Sequence, residues 1–228
     1  SFYDRPEGAS PRTTSIAVRY LASGQTTSFS IHQIAEELDI HYSDISIRYA
    51  DIEEEMLRRF FEFVNRHSGY RWLHWNMRDI NYGFPALEHR GRVLGLEPAH
   101  VRDDDKVDLA RILIDLFSAR YVGHPRLEKI LKLNSIGMRD FLTGAEEAEA
   151  FEAHEYVKLH LSTLRKVDVI SALAERTEMD QLKTNANWWE RNGGNVIGAV
   201  EALTDNWLIR GLGVLTLVFS IVLGAAQV

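Results

Sequence analysis

At 228 residues, of which 45% are hydrophobic, the chain is long enough to bury a core and too apolar to be disordered. Twenty-six basic against thirty-three acidic residues leave a formal net charge of −7, so no overall basic field draws in nucleic acid, and a polyanion would need a local basic patch or bound cations. The absence of cysteine excludes disulfides, thiolate metal sites and cysteine nucleophiles together.

The opening residues, "SFYDRPEG", contain no charged and apolar leader, so no signal peptide is expected. From Ser15 to Ile31 apolar and polar residues alternate around "SGQT", which predicts a β-hairpin with arms "SIAVRYL" and "TTSFSI". Asp51 opens a helix in which Leu57, Phe60, Phe61 and Val64 recur at i, i+3, i+4 and i+7, with acids in the first turn and Arg66 and His67 in the last. "GYRWLHW" then reads as a short aromatic strand, and the order hairpin, helix, strand implies an α/β layer in which this last strand runs parallel to a neighbour.

Past Pro85, "ALEHRGRVLG" predicts a helix closed by Gly95, whereas Asp105 to Phe117 is apolar with mixed period and fits a short strand or a helix. "HPRLEKILKLNSIG" has Pro at a helix start and Leu127, Ile130 and Leu131 on one face. Ala145 to Arg176 is helical, first acidic and then amphipathic through Leu161, Leu164, Val167 and Ile170. A polar stretch over 178–205, punctuated by Gly193 and Gly194, reads as a linker between a domain over 1–177 and a tail over 206–228. From Trp207 that tail is apolar on every face, and its 22 residues as a helix would span about 33 Å, close to a bilayer core of about 30 Å. The expectation is a C-terminal transmembrane-like helix, with Arg210 keeping the domain on the cytoplasmic side; a buried C-terminal helix is the alternative.

Chemistry concentrates in "WLHWNMRDINYGFPALEHR", Trp72 to Arg90, where a buried strand is followed at once by Asn76, Arg78 and Asp79. Two divalent ions held by separated acids can hydrolyse a phosphodiester without any nucleophilic side chain, and such hard ions take carboxylate oxygens. The acids available at element ends are Asp4 and Glu7 in "FYDRPEG", Asp79, and Asp168 in "STLRKVDVISAL". In this order of elements the chain resembles the 3′-5′ exonuclease domains of the ribonuclease H-like fold, as attached to family B DNA polymerases, over roughly Phe2 to Arg176. The resemblance implies a mixed sheet flanked by helices, a first motif at Asp4 and Glu7, a second at Asn76 and Asp79, and a third at Asp168. It implies Mg²⁺ or Mn²⁺ bound by Asp4, Asp79 and Asp168, with Glu7 completing the catalytic acids, and a nucleic-acid substrate positioned by Asn76 and Arg78.

The chain departs from that pattern in each motif. Pro6 lies where the first motif has an acid, Asn76 and Asp79 are one residue closer than usual, and the Tyr or His expected before the last Asp falls on Leu164 or Thr163. The expected function is a membrane-tethered, metal-dependent 3′-5′ exonuclease-like phosphodiesterase, and the alternative that these departures raise is a non-catalytic binding or scaffold protein of the same fold, anchored at a membrane. Each residue also has a plainer reading. Asp79 could pair with Arg78 or Arg90 or cap the next helix, and Asp168 could pair with Arg165. Asn76 could satisfy backbone groups at the strand end. His74 lacks a second histidine at ligand spacing and reads as a satisfied core or rim residue. "DDD" at Asp103 to Asp105 reads as a solvated cap. Arg120, His124, Arg126, Lys129 and Lys132 could meet phosphates or serve only solubility.

Overall fold

A computed structural model describes residues 11–79, 82–186 and 214–222, with the backbone alone for 78–79, 82 and 214–222. Strands β1 (Arg12–Tyr20) and β2 (Thr26–Ser30) form the expected hairpin, in register from Ser15 with Ser30 to Arg19 with Thr26. Gly24 takes the left-handed conformation its turn requires, at φ 70°. The chain then forms a seven-residue helix, α1 (Ile31–Glu37), and the amphipathic α2 (Tyr49–Arg66). Strand β3 (Arg71–His74) follows, then a ribbon of two-residue strands, β4 (Arg78–Asp79) and β5 (Tyr82–Gly83), then α3 (Phe84–Val93) with Pro85 in its first turn.

The segment of mixed period holds both elements in succession, β6 (Lys106–Asp108) and α4 (Leu109–Phe117). Helices α5 (Arg126–Leu133), α6 (Gly144–Glu152) and α7 (Tyr156–Glu178) come next. The start of α6 is fixed by a capping box in which Thr143 and Glu146 satisfy each other's backbone N–H groups. The domain continues beyond residue 177: Leu182 is buried, Lys183 N–H donates to Asn134 Oδ1 at 2.8 Å, and Asn185 N–H donates to Tyr121 O at 2.8 Å.

Over 214–222 the structure differs from the expected C-terminal helix. Strand β7 (Val214–Val222) lies in the middle of a five-stranded sheet of order β2-β1-β7-β3-β6. It is antiparallel to β1, from Arg12 with Val222 to Tyr20 with Leu215, and parallel to β3, from Arg71 with Val214 to Leu73 with Thr216. The composition accounts for this. In "VLTLVFSIV" five of nine residues are β-branched and a sixth is Phe219, types that fit a pleated surface better than a helix. A near-continuous apolar run, broken only by Thr216 and Ser220, is also typical of a strand inside a sheet with helices on both faces. The remainder of the expected helix lies outside the described residues, and no helix among the described residues is long and apolar enough to cross a membrane. Strand β3 runs parallel to both neighbours, as the element order implied.

Period-two alternation divides the core between the two faces. Ile16 and Val18 of β1 and Trp72 of β3 point to a cluster with α1, α2 and α3, whereas Ala17 and Leu73 point to one with α4, α5 and the middle of α7. The result is a mixed α/β sandwich with helices on both faces of the sheet.

Candidate functional site

The parallel pair β3–β6 ends with His74 opposite Asp108. Asn76, at φ 53°, takes a left-handed conformation just beyond β3. Its backbone N–H donates to Asp108 Oδ1 at 3.0 Å, and the same oxygen accepts from Ala110 N at 3.0 Å as the N-cap of α4. Asp108 thus ties the end of one strand to the start of the helix after the other. His74 is buried, and its Nδ1 accepts from Met77 N–H at 3.2 Å, which makes it the core histidine its isolation suggested.

Beside this junction opens a cavity of about 340 Å³. Trp75 and Asn76 line it from the strand end, Arg111 from α4, and His124 and Arg126 from the start of α5, with Glu128 as its only lining acid. Arg126 is half-buried: one guanidinium nitrogen donates to Ala119 O at 3.2 Å, the cation lies 5.9 Å from the centre of the Tyr121 ring, and Nε has no hydrogen-bond partner among the described residues. Arg111 is exposed and only loosely engaged with Asp115, at 3.3 Å. Behind the cavity Tyr121 is fully buried, and burial pushes its hydroxyl up to about 12, opposed by Arg126 and assisted by Asp108. Two guanidiniums and an imidazole beside a partly buried indole, at the start of an eight-residue helix, suit an anion attached to a flat ring.

The expected site residues fare differently. Asn76 lies at this cavity. Asp79 and Arg78 form β4, with backbones paired to Tyr82 and Gly83, and their side chains are outside the described part. Asp4 and Glu7 fall on residues 1–10, also outside it. Asp168 is committed elsewhere: Oδ1 accepts from Arg19 at 2.9 Å, and Arg165 stands 4.0 Å from Oδ2. The pairing with Arg165 is thus present but secondary to one with β1. Arg19 is in register with Thr216 and, through it, with Leu73, so this pair sits two strand spacings, about 10 Å, from β3. Among the described residues no three His, Asp or Glu side chains are grouped to hold a metal ion.

Asp103 to Asp105 form a short 3-10 turn whose acids are answered locally, Asp105 by Arg102 at 2.8 Å and Asp103 by Lys106 at 2.7 Å. From the basic cluster only His124 and Arg126 line the cavity. Asp108, Trp75 and Arg111 are not among the site residues expected from the sequence. The signal for Asp108 was available, an Asp directly before the periodic run Leu109, Ile112, Leu113 and Leu116.

Compared with protein-family models, curated proteins and solved structures, the chain gives no significant match to any of them.

Proposed function

We propose that this is a non-catalytic, ribonuclease H-like binding domain that holds a phosphate group of a single nucleic-acid strand in the cavity beyond β3 and β6. The observation that carries this reading is the grouping of Arg111, His124 and Arg126 around one opening that also presents Trp75 and Asn76. Guanidiniums neutralise phosphate, and an indole face accepts a base of any sequence. The position supports it too, since α/β sheets take ligands beyond the carboxyl ends of their strands. With a net charge of −7 the attraction is local, so affinity will be modest and steeply salt-dependent.

The order of hairpin, helix, strand ending near Asn76 and Asp79, and late helix with Asp168 supports the ribonuclease H-like assignment. The absence of catalysis is supported by two features. Asp168 is neutralised by Arg19, and the strand between the hairpin and β3 is β7, whose nine residues include no acid. The reading takes Val214–Val222 as the middle strand of the sheet and includes no membrane tether there.

The test is fluorescence anisotropy with a labelled, 5′-phosphorylated single-stranded oligonucleotide, on wild type beside Arg126→Gln and Trp75→Ala. Both substitutions should weaken binding by about tenfold, and Arg126→Gln should also lower the salt slope by about 0.7. Unchanged affinity in both variants refutes the reading. A metal-dependent 3′-5′ exonuclease is the second reading, favoured by Asn76 at the cavity rim with Asp79 three residues on. It requires Mg²⁺ or Mn²⁺ on Asp79 and Asp168, and calorimetric Mn²⁺ binding abolished by Asp79→Asn and by Asp168→Asn would establish it over the first.

A further inference from the structure

Away from that cavity, two imidazoles meet edge to face between α1 and the first turns of α7. The rings of His32 and His160 are 5.1 Å apart between centres and inclined at 63°. His160 is 6% exposed and His32 is half-buried. Each ring has its Nδ1 shielded from solvent with no hydrogen-bond partner among the described residues, and the Ser28 hydroxyl of β2 lies 3.5 Å from His160 Nε2. A neutral ring tolerates such a place, since one nitrogen can keep a bare lone pair. An imidazolium does not, because both of its nitrogens are donors and a buried cation needs an acceptor or an opposite charge.

The elements packed around the pair supply little to offset such a charge. Glu36, one turn beyond His32 on α1, is exposed and pulls on His32 alone. Strand β2 carries no charged residue. On α2, Arg59 is taken up by Glu37 and Glu55, and in the 3-10 turn after α1 the exposed His41 and Asp44 engage Ser43. On α7, burial pushes the Tyr156 hydroxyl up, which keeps it uncharged, and Lys158 is exposed and paired with Glu155 at 2.7 Å. Glu147 of α6 and Arg19 of β1 pair further along α7, with Lys166 and Asp168. Burial accordingly holds His160 down to about 4, with His32 acting in the same direction, and burial also lowers His32.

We propose that His32 and His160 form an acid-sensitive clasp, which holds α1 against α7 while both rings are neutral and releases α1 when they are protonated. Helix α1 is the piece suited to move: it has seven residues, no side-chain hydrogen bond at its N-cap, and only Ile31, Ile34 and Ala35 buried. Its departure is a small opening that brings water to both rings, and it uncovers Ile31 and Ile34, so the acid form presents apolar surface. The sign follows from linkage. A histidine held low in the closed state and returned to about 6.5 in the open one binds more protons when open, so opening grows as pH falls from about 6.5 towards 4. The pair shares no residue with the phosphate cavity, and the inference stands apart from that reading.

The experiment is amide hydrogen exchange of the full chain, read by mass spectrometry at about pH 7.5 and about pH 5 and corrected for the intrinsic pH dependence of exchange, on wild type beside His160→Leu. From His160 alone the opening constant of α1 should rise about 30-fold between these conditions, while that of α2 changes by less than about threefold. In His160→Leu, native by circular dichroism at the higher pH, most of that rise should be lost. A wild-type rise under about threefold, an equal rise in α2, or a variant that opens with the same pH dependence overturns the inference. Should His160→Leu fail to fold, a nuclear magnetic resonance titration of wild type decides it: the His160 ring should titrate below about 5, and titration at or above its ordinary value of about 6.5 refutes the clasp.

Discussion

The loss of Arg90 should destabilise the domain more than the loss of any exposed charge. Glu53 of α2 is completely buried, and Arg90 of α3 approaches it with both arms of its fork, Nε to Oε1 at 3.0 Å and an Nη to Oε2 at 2.6 Å. Thr13 N–H of β1 also donates to this carboxylate, at 2.6 Å to Oε1. In Arg90→Met the aliphatic stem is kept and two charge-assisted bonds of about 1.5–3 kcal/mol each are lost, which agrees with the roughly 3–5 kcal/mol cost of leaving a buried charge unpaired. Against a typical domain stability of about 5–15 kcal/mol, this moves the urea midpoint by a large fraction of its value.

The pH dependence makes the reasoning specific. Burial already pushes the Glu53 carboxyl up from its ordinary value against the pull of Arg90, and removing Arg90 pushes it further. A carboxyl raised in the folded state binds more protons there than when unfolded, so its contribution is lost as pH rises and regained as pH falls. The deficit of Arg90→Met should therefore shrink between pH 7 and pH 5, and Glu53→Met/Arg90→Met should recover much of the stability. A loss under about 1 kcal/mol, or a deficit independent of pH, refutes the account of an uncompensated buried charge.

Three further outcomes are expected. Gly91→Ala brings a Cβ to 2.6 Å from Phe61 Cε2, so the usual helical gain is outweighed by overpacking of about 1–3 kcal/mol, read as a lower melting midpoint. In spectrophotometric titration Tyr121 should ionise near pH 12, a step that Tyr121→Phe removes. Because its pKa is raised on folding, stability falls as pH rises from about 10 towards 12, and less so in the variant. Asp108→Ala removes the cap of α4 and the acceptor for Asn76 N–H, costing about 1–2 kcal/mol in urea unfolding and weakening oligonucleotide binding; full retention of both properties would remove Asp108 from the site's framework.

The parts of this fold that were legible in the sequence are those with a strong local period. The hairpin shows in alternation through "SIAVRYL", and α2 shows in the spacing of Leu57, Phe60, Phe61 and Val64, all of which are buried. Helix α1 was hidden because Ile31 also continues the alternation of β2, and seven residues give Ile31, Ile34 and Ala35 only one repeat of the helical pattern. The β4–β5 ribbon is too short for any period to appear. For β7 the difficulty is different in kind: an apolar run without alternation is what both a buried strand and an apolar helix require, and only the β-branched composition separates them. The cavity was illegible for a topological reason. Asn76, Arg111 and Arg126 are at least fifteen residues apart, and they meet because β3 and β6 pair in parallel and α5 returns beside them.

That topology also explains why one residue of the expected exonuclease constellation reaches the cavity while another does not. Asn76 follows a strand whose end is fixed by the parallel pairing with β6, so any ligand drawn to the β3–β6 edge meets it. Asp168 projects from a helix that crosses the antiparallel half of the sheet, where the nearest cation is Arg19 of β1. A two-metal centre would need an acid on the strand that joins these halves, because ions about 4 Å apart cannot be shared across two strand spacings of nearly 5 Å each. The joining strand is β7, and its only polar residues are Thr216 and Ser220. On the proposed reading, the same apolar strand that closes the sheet separates a phosphate-holding edge from the acid that would have been needed to cut what is held there.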